Sequence, residues 1–72
     1  MATRPLALIV LCTCPDQQTG EMLGREAVEQ KLAACVNIIP GLTSIFEWDG
    51  AIETETEVLL LAKTSADAYG AL

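Results

Sequence analysis

Residues 32–50 constrain the fold of this 72-residue chain more than any other stretch. Val36, Ile38 and Ile39 are β-formers. Pro40-Gly41 interrupts them, as a bulge or bend does in a strand that must curve. Ser44, Phe46 and Trp48 then alternate with Thr43, Ile45 and Glu47, which is the period of a strand. Asp49-Gly50 predicts a two-residue type I′ turn, because both central residues of that turn need φ > 0. The residues just before Cys35 read as a helix end. The expectation is a helix running straight into a bent hairpin.

The flanks extend this reading. Leu6–Cys12 is a continuous apolar run, the pattern of a strand buried on both faces. Asp16 after Pro15 is placed to cap a helix. Gly20, Leu23, Gly24, Ala27, Val28 and Leu32 recur at helical spacing, giving one small, apolar face. Each glycine costs about 1 kcal/mol relative to alanine in a helix, so that face is expected to approach the sheet closely. After the turn, Glu53, Glu55 and Glu57 alternate with Ile52, Thr54 and Thr56; Val58 to Ala62 is apolar throughout. Ser65 is a plausible cap for a second helix. The elements are strand 6–12, helix 16–34, strand 35–48, strand 51–64 and the start of a helix at 65–72, all in one domain spanning 1–72. The order β-α-β-β-α matches the first five elements of an α+β, ferredoxin-like sandwich with an antiparallel sheet.

Charge and cysteine content exclude several classes of function. The net charge is −6, with Arg4, Arg25, Lys31 and Lys63 as the basic residues, so the cationic footprint of a nucleic-acid binder is missing. An anionic membrane surface is disfavoured on the same ground. The apolar run at Leu6–Leu11 falls short of the ~7–15 residues of a leader peptide and the ~20 of a membrane span. Three cysteines without scaffold spacing read as reduced thiols, and the chain is expected to be cytoplasmic. Half the residues are hydrophobic. A domain this small buries only about 60% of its unfolded surface, so association with further copies is expected.

The segments Leu32-Ala33-Ala34-Cys35-Val36-Asn37-Ile38, Pro40-Gly41-Leu42-Thr43-Ser44-Ile45 and Trp48-Asp49-Gly50 resemble the CutA family of small divalent-cation-tolerance proteins. Leu11-Cys12-Thr13-Cys14-Pro15-Asp16 is similar to the end of that family's first strand, and Glu57 to Thr64 to its third. Family members run on past the position of Leu72, so the chain reads as C-terminally truncated: the closing strands and helix of the sandwich are not in it. The resemblance implies the ferredoxin-like fold, a homotrimer in which the long strands reach neighbouring copies, and non-catalytic metal binding tied to copper tolerance. An alternative is a signalling trimer like the PII regulators, binding a small molecule in clefts between subunits.

Cys12 is the leading metal-ligand candidate, where the first strand meets its loop; thiolate sulfur suits Cu(I) and zinc. Cys14 is placed to add a second sulfur. Both also fit a reading as small buried residues. In copper-binding members, the resemblance implies, the cysteine at the Cys12 position acts with a histidine and a glutamate from the segment this chain lacks, and the chain contains no histidine. Glu57 and Lys63, an even number of residues apart, are expected on one face, lining an intersubunit cleft with Trp48 as an apolar wall. A structural ion network is the other reading of that pair. Asn37 is expected to satisfy backbone groups at the bend. No nucleophile stands beside a base, so no enzymatic activity is expected.

Overall fold

A computed structural model describes residues 7–69. Five elements follow in order: β1 (Ala7–Cys14), α1 (Gln17–Glu29), β2 (Cys35–Trp48), β3 (Ala51–Ser65) and the first turn of α2 (Ala66–Tyr69). The strands form one antiparallel sheet in the order β1-β3-β2. This is the α+β, ferredoxin-like arrangement expected from the element order. Leu6 and residues 70–72, to which the first strand and the second helix were extended, lie outside the described residues.

The local signals act as their chemistry requires. Asp49 and Gly50 have φ of 52° and 80°, so both turn residues are left-handed. At Pro40-Gly41 the β2–β3 register slips between Ile39 and Leu42, and Gly41 takes φ 79°. That is one extra residue on β2, a bulge. Asp16 caps α1, its carboxylate accepting the Thr19 N–H at 2.7 Å.

Helix α1 stops at Glu29, earlier than the periodicity suggests. Lys31 adopts φ 60°; its N–H reaches the Val28 carbonyl at 3.0 Å and the Leu32 N–H reaches the Ala27 carbonyl at 2.9 Å. This pair of bonds is a Schellman closure, with lysine at the position glycine usually holds. Leu32, which looked like the next helical contact, instead begins the return to the sheet. Thr64 holds that return: its buried hydroxyl donates to the Leu32 carbonyl. The Ala34 N–H donates to the Lys63 carbonyl at 2.8 Å.

Register sorts side chains onto two faces. Val58, Leu60, Ala62 and Thr64 of β3 share the helix-facing side with Leu8, Val10, Cys12 and Cys14 of β1 and with Val36 and Ile38 of β2. Gly20 and Gly24 are buried against this side. A Cβ on Gly20 would stand 3.1 Å from Leu60 Cδ2, and one on Gly24 would stand 3.1 Å from Val36 Cγ1. The glycines therefore set the helix–sheet distance, as the sequence suggested. The buried core is small: Cys14, Ala33, Val58 and Leu60.

The opposite face has no covering layer among the described residues. Ile9 and Leu11 are 66% and 62% exposed there, which corrects the expectation that the first strand is buried on both faces. An apolar run satisfies a doubly covered strand, but among the described residues this sheet carries a helix on one side alone. The β2–β3 ribbon extends beyond the helix, and the molecule measures 54 × 24 × 17 Å. Its radius of gyration is 14.9 Å, against about 11 Å for a compact chain of this length.

Candidate functional site

Two sets of candidate residues lie on opposite faces of the sheet. Cys12 and Cys14 occupy the helix-facing side of β1, paired with Leu60 and Val58 of β3. Cys12 is exposed and lines a groove of about 390 Å³ between α1 and β1, with Val10, Leu23, Ala27 and Leu32 among its walls. Its thiol donates to the Thr13 carbonyl at 3.6 Å. Cys14 is 2% exposed, packed with Val58 and Leu60. Burial pushes the Cys14 thiol above its ordinary range, and the adjacent Cys12 sulfur, Asp16 and Glu57 push the same way. Cys14 therefore holds its proton in the core, and the solvent-reachable sulfur of the pair is Cys12. Among the described residues no group of three or more His, Cys, Asp or Glu side chains could hold a metal ion. The two sulfurs are a soft, partial donor set, suited to monovalent copper more than to a hard divalent ion.

Asn37, Glu57, Lys63 and Trp48 all project from the bare face. Asn37 pairs with Leu61, Leu42 with Glu57, Cys35 with Lys63 and Trp48 with Ala51. Sharing a face does not bring them together. Six residues of strand put Glu57 about 20 Å from Lys63. Trp48, 70% exposed, sits at the far end of the ribbon beside the turn. A single copy of the chain therefore forms neither the cleft nor the Glu57–Lys63 ion network.

Asn37 does not serve the bend, where the sequence reading placed it. It precedes the bulge, and its Oδ1 accepts the Cys35 thiol at 4.0 Å. The glutamates Glu53 and Glu55 are exposed on the bare face, spaced as a solvated stripe.

Sequence reasoning missed how much apolar surface shares the bare face with these polar residues. Ile9, Leu11, Ile39, Phe46 and Trp48 are exposed there, alongside half-buried Leu59 and Leu61. The alternation of β2 carried the signal, but only the β1-β3-β2 order and the bulge, which moves β2 from odd to even residues on this face, show which side chains share it.

Comparisons with known proteins agree on one family. The sequence model of the family described as CutA1 divalent ion tolerance protein matches residues 8–72. The divalent-cation tolerance protein CutA of Yersinia pestis (strain Pestoides F) is 46% identical over 66 residues, covering 92% of this chain and 56% of that protein. The chain thus spans a little over half the length of such relatives. The crystal structure of CutA from Xylella fastidiosa superposes with a TM-score of 0.88 at 42% identity, covering 90% of this chain and 62% of that one. The structure of the periplasmic divalent cation tolerance protein CutA from Archaeoglobus fulgidus gives a TM-score of 0.86 at 35% identity, covering 92% and 64%. That relative corrects the expectation of a cytoplasmic protein. Reduced thiols and a short apolar run do not fix a compartment when so similar a chain is described as periplasmic.

Proposed function

Since the chain belongs to the CutA1 divalent ion tolerance family, we propose that it serves divalent-metal tolerance by binding metal without catalysis, with copper as the metal. The observation that carries this reading is Cys12: a solvent-reachable thiol at the mouth of an apolar groove, with the Cys14 sulfur next to it on the same face. Thiolates favour soft metals such as Cu(I), and zinc, over hard cations. Binding would release the thiol protons, so affinity should rise with pH. Cys12 makes the first contact, and Cys14 supplies the second sulfur from the core. Two sulfurs are a partial set, and further donors would complete the site.

We further propose that the working unit is a homotrimer. The support is Ile9, Leu11 and Ile39, large apolar side chains left exposed on the bare face, which another copy would cover. Anaerobic titration of Cu(I) into the chain, Cys12→Ala and Cys14→Ala tests the metal reading. Loss of binding in Cys12→Ala, with weakening in Cys14→Ala, is expected; equal binding by all three would remove the site. Light scattering tests the assembly, and a threefold mass is expected.

A second reading is a PII-like trimer that binds a small molecule in intersubunit clefts. One observation favours it: Asn37, Glu57, Lys63 and Trp48 share one face yet are too far apart to act within one chain. Thermal stabilisation of metal-free protein by an organic ligand, lost in Lys63→Ala, would support this reading over the first.

A further inference from the structure

Cys12 and Cys14 are matched as a thiol pair in a way that the third cysteine is not. Both lie on the helix-facing side of β1, two residues apart, opposite Leu60 and Val58. Cys35 lies on β2, across from Lys63, and faces the bare side. The central strand β3 and the thickness of the sheet separate it from the pair. The Cys12 thiol donates to the Thr13 carbonyl at 3.6 Å, so it leans along the strand toward Cys14.

The surroundings of the two thiols differ as oxidation chemistry requires. Cys12 is exposed and open to the groove beside α1. Cys14 is 2% exposed behind it, against Val58 and Leu60. A solvent-reachable thiol with a second thiol beside it is the arrangement in which a sulfenic acid is captured as a disulfide.

The strand decides what that capture does. Two residues of strand set Cα atoms about 6.4–6.8 Å apart, at the upper end of the span a disulfide bridges. The Cβ atoms must still close to about 4 Å, so the backbone at Thr13 has to buckle. Little holds it there. Thr13 is exposed, β1 is paired on one side only among the described residues, and Pro15 just beyond has no N–H to donate. The cost falls on the core, because the bridge draws the Cys14 sulfur away from Val58 and Leu60.

We infer that Cys12 and Cys14 are a peroxide-responsive site: Cys12 is oxidised, Cys14 captures it as an intrachain disulfide, and the end of β1 loosens. In the first step the Cys12 sulfur takes an oxygen from hydrogen peroxide, whose O–O bond breaks. The products are the Cys12 sulfenic acid and water. In the second step the Cys14 sulfur attacks the Cys12 sulfur and the S–O bond breaks. The hydroxyl leaves with the Cys14 proton as water. Two thiols and one peroxide thus give one disulfide and two waters. The bridge also consumes both sulfurs proposed for Cu(I), so oxidation switches metal binding off; that consequence alone rests on the metal reading.

The test treats the reduced chain with equimolar hydrogen peroxide, then blocks the remaining thiols with iodoacetamide in urea. Tryptic fragments separate the cysteines: Cys12 and Cys14 share the one ending at Arg25, and Cys35 lies in the one from Leu32 to Lys63. Expected are a fall from three free thiols to one, a first fragment lighter by two hydrogens, and an alkylated Cys35. The mass in solution should not change. Amide exchange at Cys12 to Cys14 should quicken about tenfold or more, and dithiothreitol should reverse it. Cys14→Ala should stop at the sulfenic acid, trapped by dimedone; Cys35→Ala should bridge as the unsubstituted chain does. A bridge between copies or to Cys35 overturns the inference, as does Cys12 passing to the sulfinic acid while Cys14 stays free. Cu(I) titration of the reduced and bridged chains separates the two readings. If the bridge forms but the reduced chain binds no copper, the metal reading alone falls; if copper binds and no bridge forms, this inference alone falls.

Discussion

Gly24 offers a quantitative test of how the helix meets the sheet. A methyl at this position would stand 3.1 Å from Val36 Cγ1 and 3.4 Å from Val36 Cβ. The first distance is too short for two carbons at rest; the second is ordinary contact. Val36 is β-branched and sits in a strand, so it has few rotamers to escape into. Gly24→Ala gains about 1 kcal/mol of helix propensity. Overpacking of this kind costs about 1–3 kcal/mol, so the single variant should lose about 1 kcal/mol net. In a Val36→Ala background the offending Cγ1 is gone and the propensity gain remains. The same Gly24→Ala change should then stabilise by about 1 kcal/mol. The expected coupling is about 2 kcal/mol, within the range measured for residues in direct contact. Urea unfolding of the four proteins, followed by far-UV circular dichroism, gives the cycle. One fixed protein concentration must be used, because association shifts apparent stability. Additivity within about 0.5 kcal/mol would refute the claim that Val36 sets the requirement for glycine.

Lys31, with φ 60° in the Schellman closure, should be improved by Lys31→Gly; the gain expected is about 1 kcal/mol in the same urea assay. Asp16 is held below the ordinary carboxyl range by the Thr19 N–H. Its contribution is therefore present above the unfolded value of ~4 and is lost as pH falls through the lower folded value. Asp16→Asn keeps a capping oxygen that does not titrate, so the variant should lack this acid-side loss when unfolding is compared between pH ~5 and ~2. Iodoacetamide should modify Cys12 well before Cys14, because Cys14 is buried and keeps its proton. Peptide mass spectrometry reads the order, and equal rates would place Cys14 outside the core.

The elements legible in the sequence are those fixed by short-range chemistry. Asp49-Gly50, Pro40-Gly41 and Asp16 each demand a local conformation that few other residues satisfy, and each adopts it. Gly20 and Gly24 were legible because a helix tolerates them only for a packing reason. The end of α1 was not, because Lys31 carries no sign of a left-handed residue and Leu32 keeps the helical period. The state of β1 was not either. A run of apolar residues says that a strand prefers cover, but what covers it is set by other elements and not by the run itself. For the candidate site, the even spacing of Glu57 and Lys63 showed that they share a face, but it could not show that strand spacing keeps Asn37, Glu57, Lys63 and Trp48 apart.

The two proposed sites are separated by the sheet itself. Cys12 and Cys14 project toward α1; Asn37, Glu57, Lys63 and Trp48 project the other way. Successive residues of a strand point to opposite faces, so no side-chain motion brings one set to the other. A metal on Cys12 therefore cannot be completed by Glu57 or Lys63 of the same copy. Cys12→Ala should leave small-molecule binding at the bare face intact, and Lys63→Ala should leave copper binding intact. If both substitutions impair both activities without changing the mass in solution, coupling must run through the sheet. The central strand β3 is the physical link available, since its odd residues line one site and its even residues the other.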